Sequence, residues 1–408
     1  MKIQPKLLLA GGVVLAMGAA LPAVALSLAA TTTGTTTGTT TATTTGTAAG
    51  TIAAARPGAT ASRAVAVASR GLSPQQLAGQ RVIYSYSGLN PPATLISLIE
   101  NGEAAGVIFF GQNIASRTQI AAVIKRLEQA DASPRNPVRA PLLLMTDQEG
   151  GEVRRLPGQP VLSEKQIGAK PLARAKTLAT QAGQGAAANL RGVGMNVNLA
   201  PVLDVYRKAG DFDDQFGRSY SKSPAVASAL GVTMIKAQQA GAVAATAKHF
   251  PGLGAATANQ NTDIRPVTLN LSLATIRSVD EAPFRAAIGA GVKLVMLSWA
   301  VYPSIQALPA GLSPKVVQGE LRNRLKFTGV TITDALEAGA LKPYGSTQNR
   351  ALLAAKAGMD LILASAQNVT QGQQVLAALA GAYSNGTLNR AAFLASVNRV
   401  DALRLSRK

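Results

Sequence analysis

The sequence predicts an α/β fold, a single-domain, TIM-like (β/α)8 barrel. Eight short apolar runs alternate with amphipathic helical stretches from Ala68 onward, and strict alternation implies a parallel sheet covered by helices. Eight such units fit a closed barrel better than an open doubly wound sheet. Clusters of Asp, Lys, His and Arg fall directly after the apolar runs, where a barrel of this type carries its site. Composition agrees: 408 residues, 47% hydrophobic and 15% charged, supply a sizeable core and exclude disorder as the main state.

Residues 1–30 open with Lys2 and Lys6 and continue through an apolar stretch, Leu7 to Ala30, containing the small-residue cleavage pattern Ala23-Val24-Ala25. They predict a signal peptide and an exported protein. An uncleaved membrane anchor is the alternative, because about 20 apolar residues span a bilayer. Residues 31–67 begin as an almost pure Thr/Gly tract and stay rich in Ala, Thr and Arg, with no apolar face to bury. That composition predicts a disordered linker or stalk.

Residues 68–408 carry the barrel. Its strand candidates are Arg81–Tyr84, Gly106–Phe110, Pro141–Met145, Met195–Leu199, Val243–Ala247, Lys293–Leu297, Val330–Thr333 and Asp360–Leu363. Between them lie helical patterns at Thr94–Ile99, Gln119–Ala130, Ala173–Leu190, Ala225–Ala240, Leu273–Ala290 and Pro314–Leu325. Two more, Gln371–Tyr383 and Arg390–Leu405, finish the outer ring.

Forty Lys and Arg against 20 Asp and Glu give a net charge of +20. Such a surface is attracted to anionic envelope polymers and anionic lipid. Specific nucleic-acid binding is a poor reading, because the cations are scattered and few aromatics interleave them. The absence of cysteine and the single histidine, His249, exclude disulfides, thiolate metal sites, a cysteine nucleophile and any multi-histidine metal site. No metal or cofactor is expected, and the chain reads as a monomer.

The informative polar residues follow the strands. Asp147-Gln148-Glu149-Gly150-Gly151 with Arg154 and Arg155 follows the third run, Lys248-His249 the fifth and Asp334 the seventh, while Arg218 lies beyond the fourth. Carboxylates, Lys, His and Arg gathered at one rim suit a neutral, polyhydroxylated ligand, since charge-assisted hydrogen bonds orient sugar hydroxyls in a water-excluded pocket. Cleaving a glycosidic bond further requires a carboxylate at the anomeric carbon, and Asp334 is the candidate. A lone Asp at a strand end otherwise reads as a helix N-cap, the 147–151 segment as an ordinary strand-to-helix turn, Arg218 as a surface cation and His249 as a structural histidine. Two strong donors side by side, Lys248 and His249, would be costly in a core, which favours a site there.

At these residues the chain resembles glycoside hydrolase family 3, and within it the single-barrel bacterial β-N-acetylglucosaminidases. Residues 147–156 are similar to the family's substrate-holding loop, which implies that Asp147 and Arg155 position sugar hydroxyls. Asn198–Val205 and Phe216–Tyr220 resemble the next two family segments, the latter contributing Arg218 to the sugar. Lys248-His249-Phe250-Pro251-Gly252 resembles the family's sugar-binding Lys-His pair, and Gly329–Leu336 the segment that carries the nucleophile, here Asp334. The resemblance implies β-linked, N-acetylglucosamine-containing sugars as substrates, from peptidoglycan fragments or other β-glycosides.

The sequence departs from the family pattern after Gly252. There the subfamily carries an Asp and a His that act together as general acid/base, and counting from Lys248 places them on Asn259 and Asn261. A carboxamide has no titration near neutral pH and cannot serve. Asp263 is the first candidate for the missing acid, with a raised pKa required of it; Asp213 and Asp214 are weaker ones. General acid catalysis contributes about 100- to 10,000-fold, so without it only activated glycosides would be cleaved quickly. Two readings follow: a retaining glycoside hydrolase at the cell envelope, or a non-catalytic carbohydrate-binding pseudoenzyme of the same fold.

Overall fold

The computed structural model describes residues 71–407. The leader or anchor and the linker expected over residues 1–67 lie outside the described residues. Eight strands build the central sheet: β1 (Val82–Tyr84), β2 (Gly106–Ile108), β3 (Leu143–Thr146), β4 (Val197–Asn198), β5 (Ala244–Phe250), β6 (Leu294–Leu297), β7 (Val330–Thr333) and β8 (Ile362–Leu363). From β1 to β7 each pairs in parallel with the next in chain order, and β8 pairs back onto β1 through Val82 opposite Ile362. A single bridge between Ile332 and Leu361 joins the remaining seam, so the expected barrel is present and nearly closed by ladders. No described helix is long and apolar enough to cross a membrane.

Strand periodicity divides the core in two. Ile83, Leu143, Met145, Val197, Ala244, Leu294, Met296, Val330 and Ile332 belong to an inner cluster that fills the barrel. Their neighbours Val82, Tyr84, Leu144, Ala245, Val295 and Leu297 belong to the outer cluster beneath the helices. That split is what successive side chains on opposite faces of a strand produce. The final helix, Arg390–Leu405, adds Val400 and Leu403 to the inner cluster. Its Arg404 donates to the carbonyls of Ala140 (2.6 Å) and Pro141 (2.8 Å), just before β3, so this helix plugs the end of the barrel at which the strands begin.

Three local expectations need correction. The fifth run does not stop at Ala247 but continues as strand to Phe250, with its register on β6 shifted between Ala247 and Phe250. The long helix expected over Leu273–Ala290 is broken into a turn at Leu273–Thr275, a π-helical turn at Ile276–Asp280 and a helix at Ala282–Gly289. Pro283 lacks the N–H that a continuous helix would need there, and the Glu281 N–H reaches five residues back to the Ile276 carbonyl (2.8 Å). A helix at Thr347–Ala357 has no counterpart among the sequence-derived elements. It buries only Ala351, Ala354 and Ala357, a stripe too weakly hydrophobic to signal a period, although Ser346 caps it and Gly358 ends it with φ +101°.

Candidate active site

The segment after β3 is not a strand-to-helix turn. It folds into a short hairpin, Gln148–Gly150 against Val153–Arg154, turned by Gly150 (φ +118°) and Gly151 (φ +56°). A Cβ on Gly150 would collide with the Leu162 carbonyl, so only glycine allows the hairpin to lie so close. The Arg155 N–H donates to the Asp147 carbonyl (3.2 Å), placing both sugar-binding candidates of this loop side by side. The Nε of Arg155 is buried with no hydrogen-bond partner among the described residues, a donor that a bound hydroxyl would satisfy.

Lys248 and His249 are both buried within β5. The ammonium of Lys248 meets Asp147 Oδ1 and Glu149 Oε1, each at 2.7 Å. Burial opposes its charge, but Asp147 and Glu149 outweigh that and hold its pKa above the ordinary value. Arg218 grips Glu149 through Nε (2.8 Å) and Nη2 (3.0 Å) and Asp213 through Nη1 (2.8 Å), so it is no free surface cation. Burial works to neutralise Glu149, yet Arg218 and Lys248 together keep it well below the usual carboxylate range. One carboxylate therefore fixes two cations, Lys248 from β5 and Arg218 from the loop beyond β4.

His249 leans the other way, toward the loop after β4. Its Nδ1 stands 2.7 Å from Asp204 Oδ2, and burial lowers its pKa. The ring is neutral at neutral pH, with Nδ1 donating to Asp204 and Nε2 left as an acceptor for a ligand hydroxyl. Asp204 also accepts the backbone N–H groups of His249 (3.2 Å) and Leu253 (2.5 Å). Burial pushes Asp204 and Asp213, whose carboxyls lie close together, each up to about 6.

Asp204, Asp213 and His249 bring ligand-type atoms within 4.8 Å of one another. The donor set does not suit a cation, because Arg218 already occupies Asp213 and three N–H donors occupy Asp204. The raised carboxyls make their own prediction. A carboxyl raised to about 6 keeps its full stabilisation below its unfolded pKa and loses it as pH rises through 6. Asp213→Asn retains a donor for Asp204 and an acceptor for Arg218 but has no proton to lose. Its melting temperature is expected to fall less than the wild type's between pH 4.5 and 7; an identical fall in both would dismiss Asp213 as a group titrating there.

Asp334 ends β7, and it is not a helix cap. The helices that follow begin after Ala338 and Ser346, and the Asp334 carboxylate accepts only the N–H of Ala335 (2.7 Å). The indole N–H of Trp299 donates to the Ala335 carbonyl (2.8 Å) and anchors the segment. Burial raises the Asp334 pKa, His249 and Lys248 oppose the rise, and Asp263 adds to it. The nucleophile candidate thus shares electrostatic surroundings with the Lys-His pair.

The loop after β5 reaches the same place. The N–H groups of Gly339 and Ala340, just beyond Asp334, donate to the carbonyls of Asp263 (2.8 Å) and Thr262 (2.9 Å). A Cβ on Gly339 would collide with the Ile264 carbonyl, so the close approach of the two loops requires glycine. Burial raises the Asp263 pKa; Arg218 opposes the rise, while Glu337, Asp213 and Asp147 reinforce it. Asn259 is exposed, and buried Asn261 is occupied in accepting the Asp263 N–H (2.8 Å). Asp214, one of the weaker acid candidates, is tied to Lys165 (2.7 Å) and the Gly210 N–H (2.8 Å).

Against this geometry, a model of the glycosyl hydrolase family 3 N terminal domain matches residues 75–403. The chain belongs to that family. As a glycoside hydrolase of family 3 it has relatives on both sides of the bacterial–fungal divide. It is 46% identical over 330 residues to an uncharacterized secreted glycosyl hydrolase of Arthroderma benhamiae, covering 80% of this chain and 92% of that one. It is 31% identical to a beta-hexosaminidase of Stenotrophomonas maltophilia over 74% of this chain and 91% of the relative.

Among solved structures, a family 3 beta-N-acetylglucosaminidase from a Paenibacillus species superposes with a TM-score of 0.76 at 33% identity. That match covers 83% of this chain, which spans 63% of the Paenibacillus protein. A beta-N-acetylhexosaminidase from Beutenbergia cavernae superposes with a TM-score of 0.72 at 30% identity, over 82% of this chain and 98% of that one.

Four residues of this family 3 hydrolase's site were not singled out by sequence reasoning: Glu149, Asp204, Glu164 and Glu337. Glu149 and Asp204 stood inside segments already noted, and only their partners mark them as organisers. Glu164, buried beside Glu149, is pushed well up by burial, and it accepts the Val202 N–H (2.9 Å). An outer groove of about 980 Å3, between helices Leu172–Arg191 and Pro224–Ala240, includes none of the seven site candidates. Removing one partner of a buried ion pair typically costs about 3–5 kcal/mol, so Glu149→Gln is expected to lower the melting temperature and weaken sugar binding together. A variant with wild-type stability would deny Glu149 its role.

Proposed function

We propose that this family 3 hydrolase is a retaining β-glycosidase of exported location, cleaving β-linked, N-acetylglucosamine-containing sugars, with Asp334 as nucleophile and Asp263 as acid/base. Asp147, Arg155, Arg218, Lys248 and His249 hold the sugar ring. The substrate class and the location are supported by the β-hexosaminidase and secreted relatives.

One observation carries the assignment of the acid. Of three carboxyls at this rim, Asp334 has the Ala335 N–H, and Glu337 has the hydroxyl of Ser365 (2.9 and 3.2 Å) and the amide of Gln371 (3.3 Å). Among the described residues nothing donates to the Asp263 carboxyl. Hydrogen-bond donors favour the ionised form, so the undonated carboxyl is the one that keeps its proton. In the first step Asp334 attacks the anomeric carbon while Asp263 gives its proton to the leaving oxygen. In the second, Asp263 takes a proton from water, which displaces Asp334; two inversions retain the β configuration.

The test is turnover of 4-nitrophenyl β-N-acetylglucosaminide and β-glucoside by the wild type, with the first product's anomeric form followed by NMR. Release of the β anomer supports the proposal. Release of the α anomer would overturn retention, and sugar affinity without any release would favour the binding-only reading.

A further inference from the structure

Glu337 is a half-buried acid at this rim with no part in the steps above. It lies three residues beyond Asp334 and hangs from the end of β8, where Ser365 Oγ donates to Oε1 (2.9 Å) and Oε2 (3.2 Å) and Gln371 Nε2 to Oε2 (3.3 Å). Its own segment is stitched by two main-chain hydrogen bonds to the loop that carries Asp263. Three elements therefore converge on one small volume: the end of β7, the end of β8 and the loop after β5.

We infer that Glu337 is a positioning residue for proton transfer: a fixed carboxylate, anchored on Ser365 and Gln371, that keeps the exchangeable proton on Asp263. The inference rests on the proposed acid/base role of Asp263. Burial raises the pKa of both acids, but Ser365 and Gln371 donate to Glu337 and oppose the rise there, whereas no hydrogen-bond donor does so at Asp263, so of this neighbouring pair Asp263 is the one to stay protonated. In the subsequent half-reaction the same negative charge favours return of a proton from water to Asp263. The other charged groups are accounted for. Arg218, Asp213, Asp147 and Asp334 act on Asp263; Asp334 and Arg350 act on Glu337, Arg350 being held by the Leu336 carbonyl (3.1 Å). Arg218, engaged by Glu149 and Asp213, opposes the rise at Asp263, while burial and the neighbouring carboxyls sustain it.

The experiment is the pH profile of kcat/KM for an aryl β-N-acetylglucosaminide in the wild type, Glu337→Gln, Ser365→Ala and Asp263→Asn. The alkaline limb reports the acid of the free enzyme. Removing a like charge beside it is expected to move that limb down by about one pH unit in Glu337→Gln, with KM unchanged. Ser365→Ala, which strips the anchor but leaves the carboxyl, should move it the same way by less. A limb that stays at the wild-type pH in both variants overturns the inference, as does a rise in KM with no movement of the limb. A limb that persists unmoved in Asp263→Asn overturns the acid/base reading itself, whereas its loss there with no shift in Glu337→Gln overturns only the role of Glu337.

Discussion

Asp334→Ala is expected to lower kcat/KM for 4-nitrophenyl β-N-acetylglucosaminide by at least about a thousandfold, roughly 4 kcal/mol of transition-state stabilisation. No neighbour can take over: Asp147 and Glu149 are bound to Lys248, Asp213 to Arg218, and Glu337 to Ser365. The fold should not suffer, because the lost carboxylate accepts only one N–H, from the adjacent residue. The variant should therefore keep its melting temperature and its affinity for N-acetylglucosamine, which isolates the effect in the chemical step. Undiminished release of nitrophenol would remove Asp334 from the mechanism.

Asp263→Asn carries the second large effect, and its size depends on the leaving group. With a poor leaving group the rate should fall by about 100- to 10,000-fold; with a dinitrophenyl group, which departs unprotonated, cleavage of the first bond should change little. The alkaline limb of the wild-type profile should vanish. Added azide should restore turnover by attacking the glycosyl-enzyme without needing a base, yielding a β-glycosyl azide. An equal loss on both substrates, with no azide product, would point instead to a structural role for this side chain.

The barrel was legible because short continuous apolar runs and intervening helical stripes are direct imprints of burial. Each of the eight strands lies at its expected run. Boundaries slipped where main-chain irregularity decided them, as at Lys248-His249-Phe250, which continue β5, and at Pro283, which interrupts a helix whose apolar period runs straight through it. In the candidate site, Asp147, Arg155, Arg218, Lys248, His249 and Asp334 could be named because each stands in a recognisable segment at or beyond the end of an apolar run. The organisers could not. Glu149 and Asp204 matter through partners about 50 to 100 residues away in the chain, and nothing in local spacing records such a contact. Asp263 could be named only by elimination, since what distinguishes it is the absence of any donor to its carboxyl.

The stitching of residues 262–263 to 339–340 runs entirely through peptide groups. The separation between Asp263, the proposed proton donor, and Asp334, the proposed nucleophile, is thus held chiefly by main chain, with the Asn261 side chain accepting the Asp263 N–H beside it. Substitutions among the exposed residues 257–259 should therefore leave the spacing between Asp263 and Asp334 unchanged.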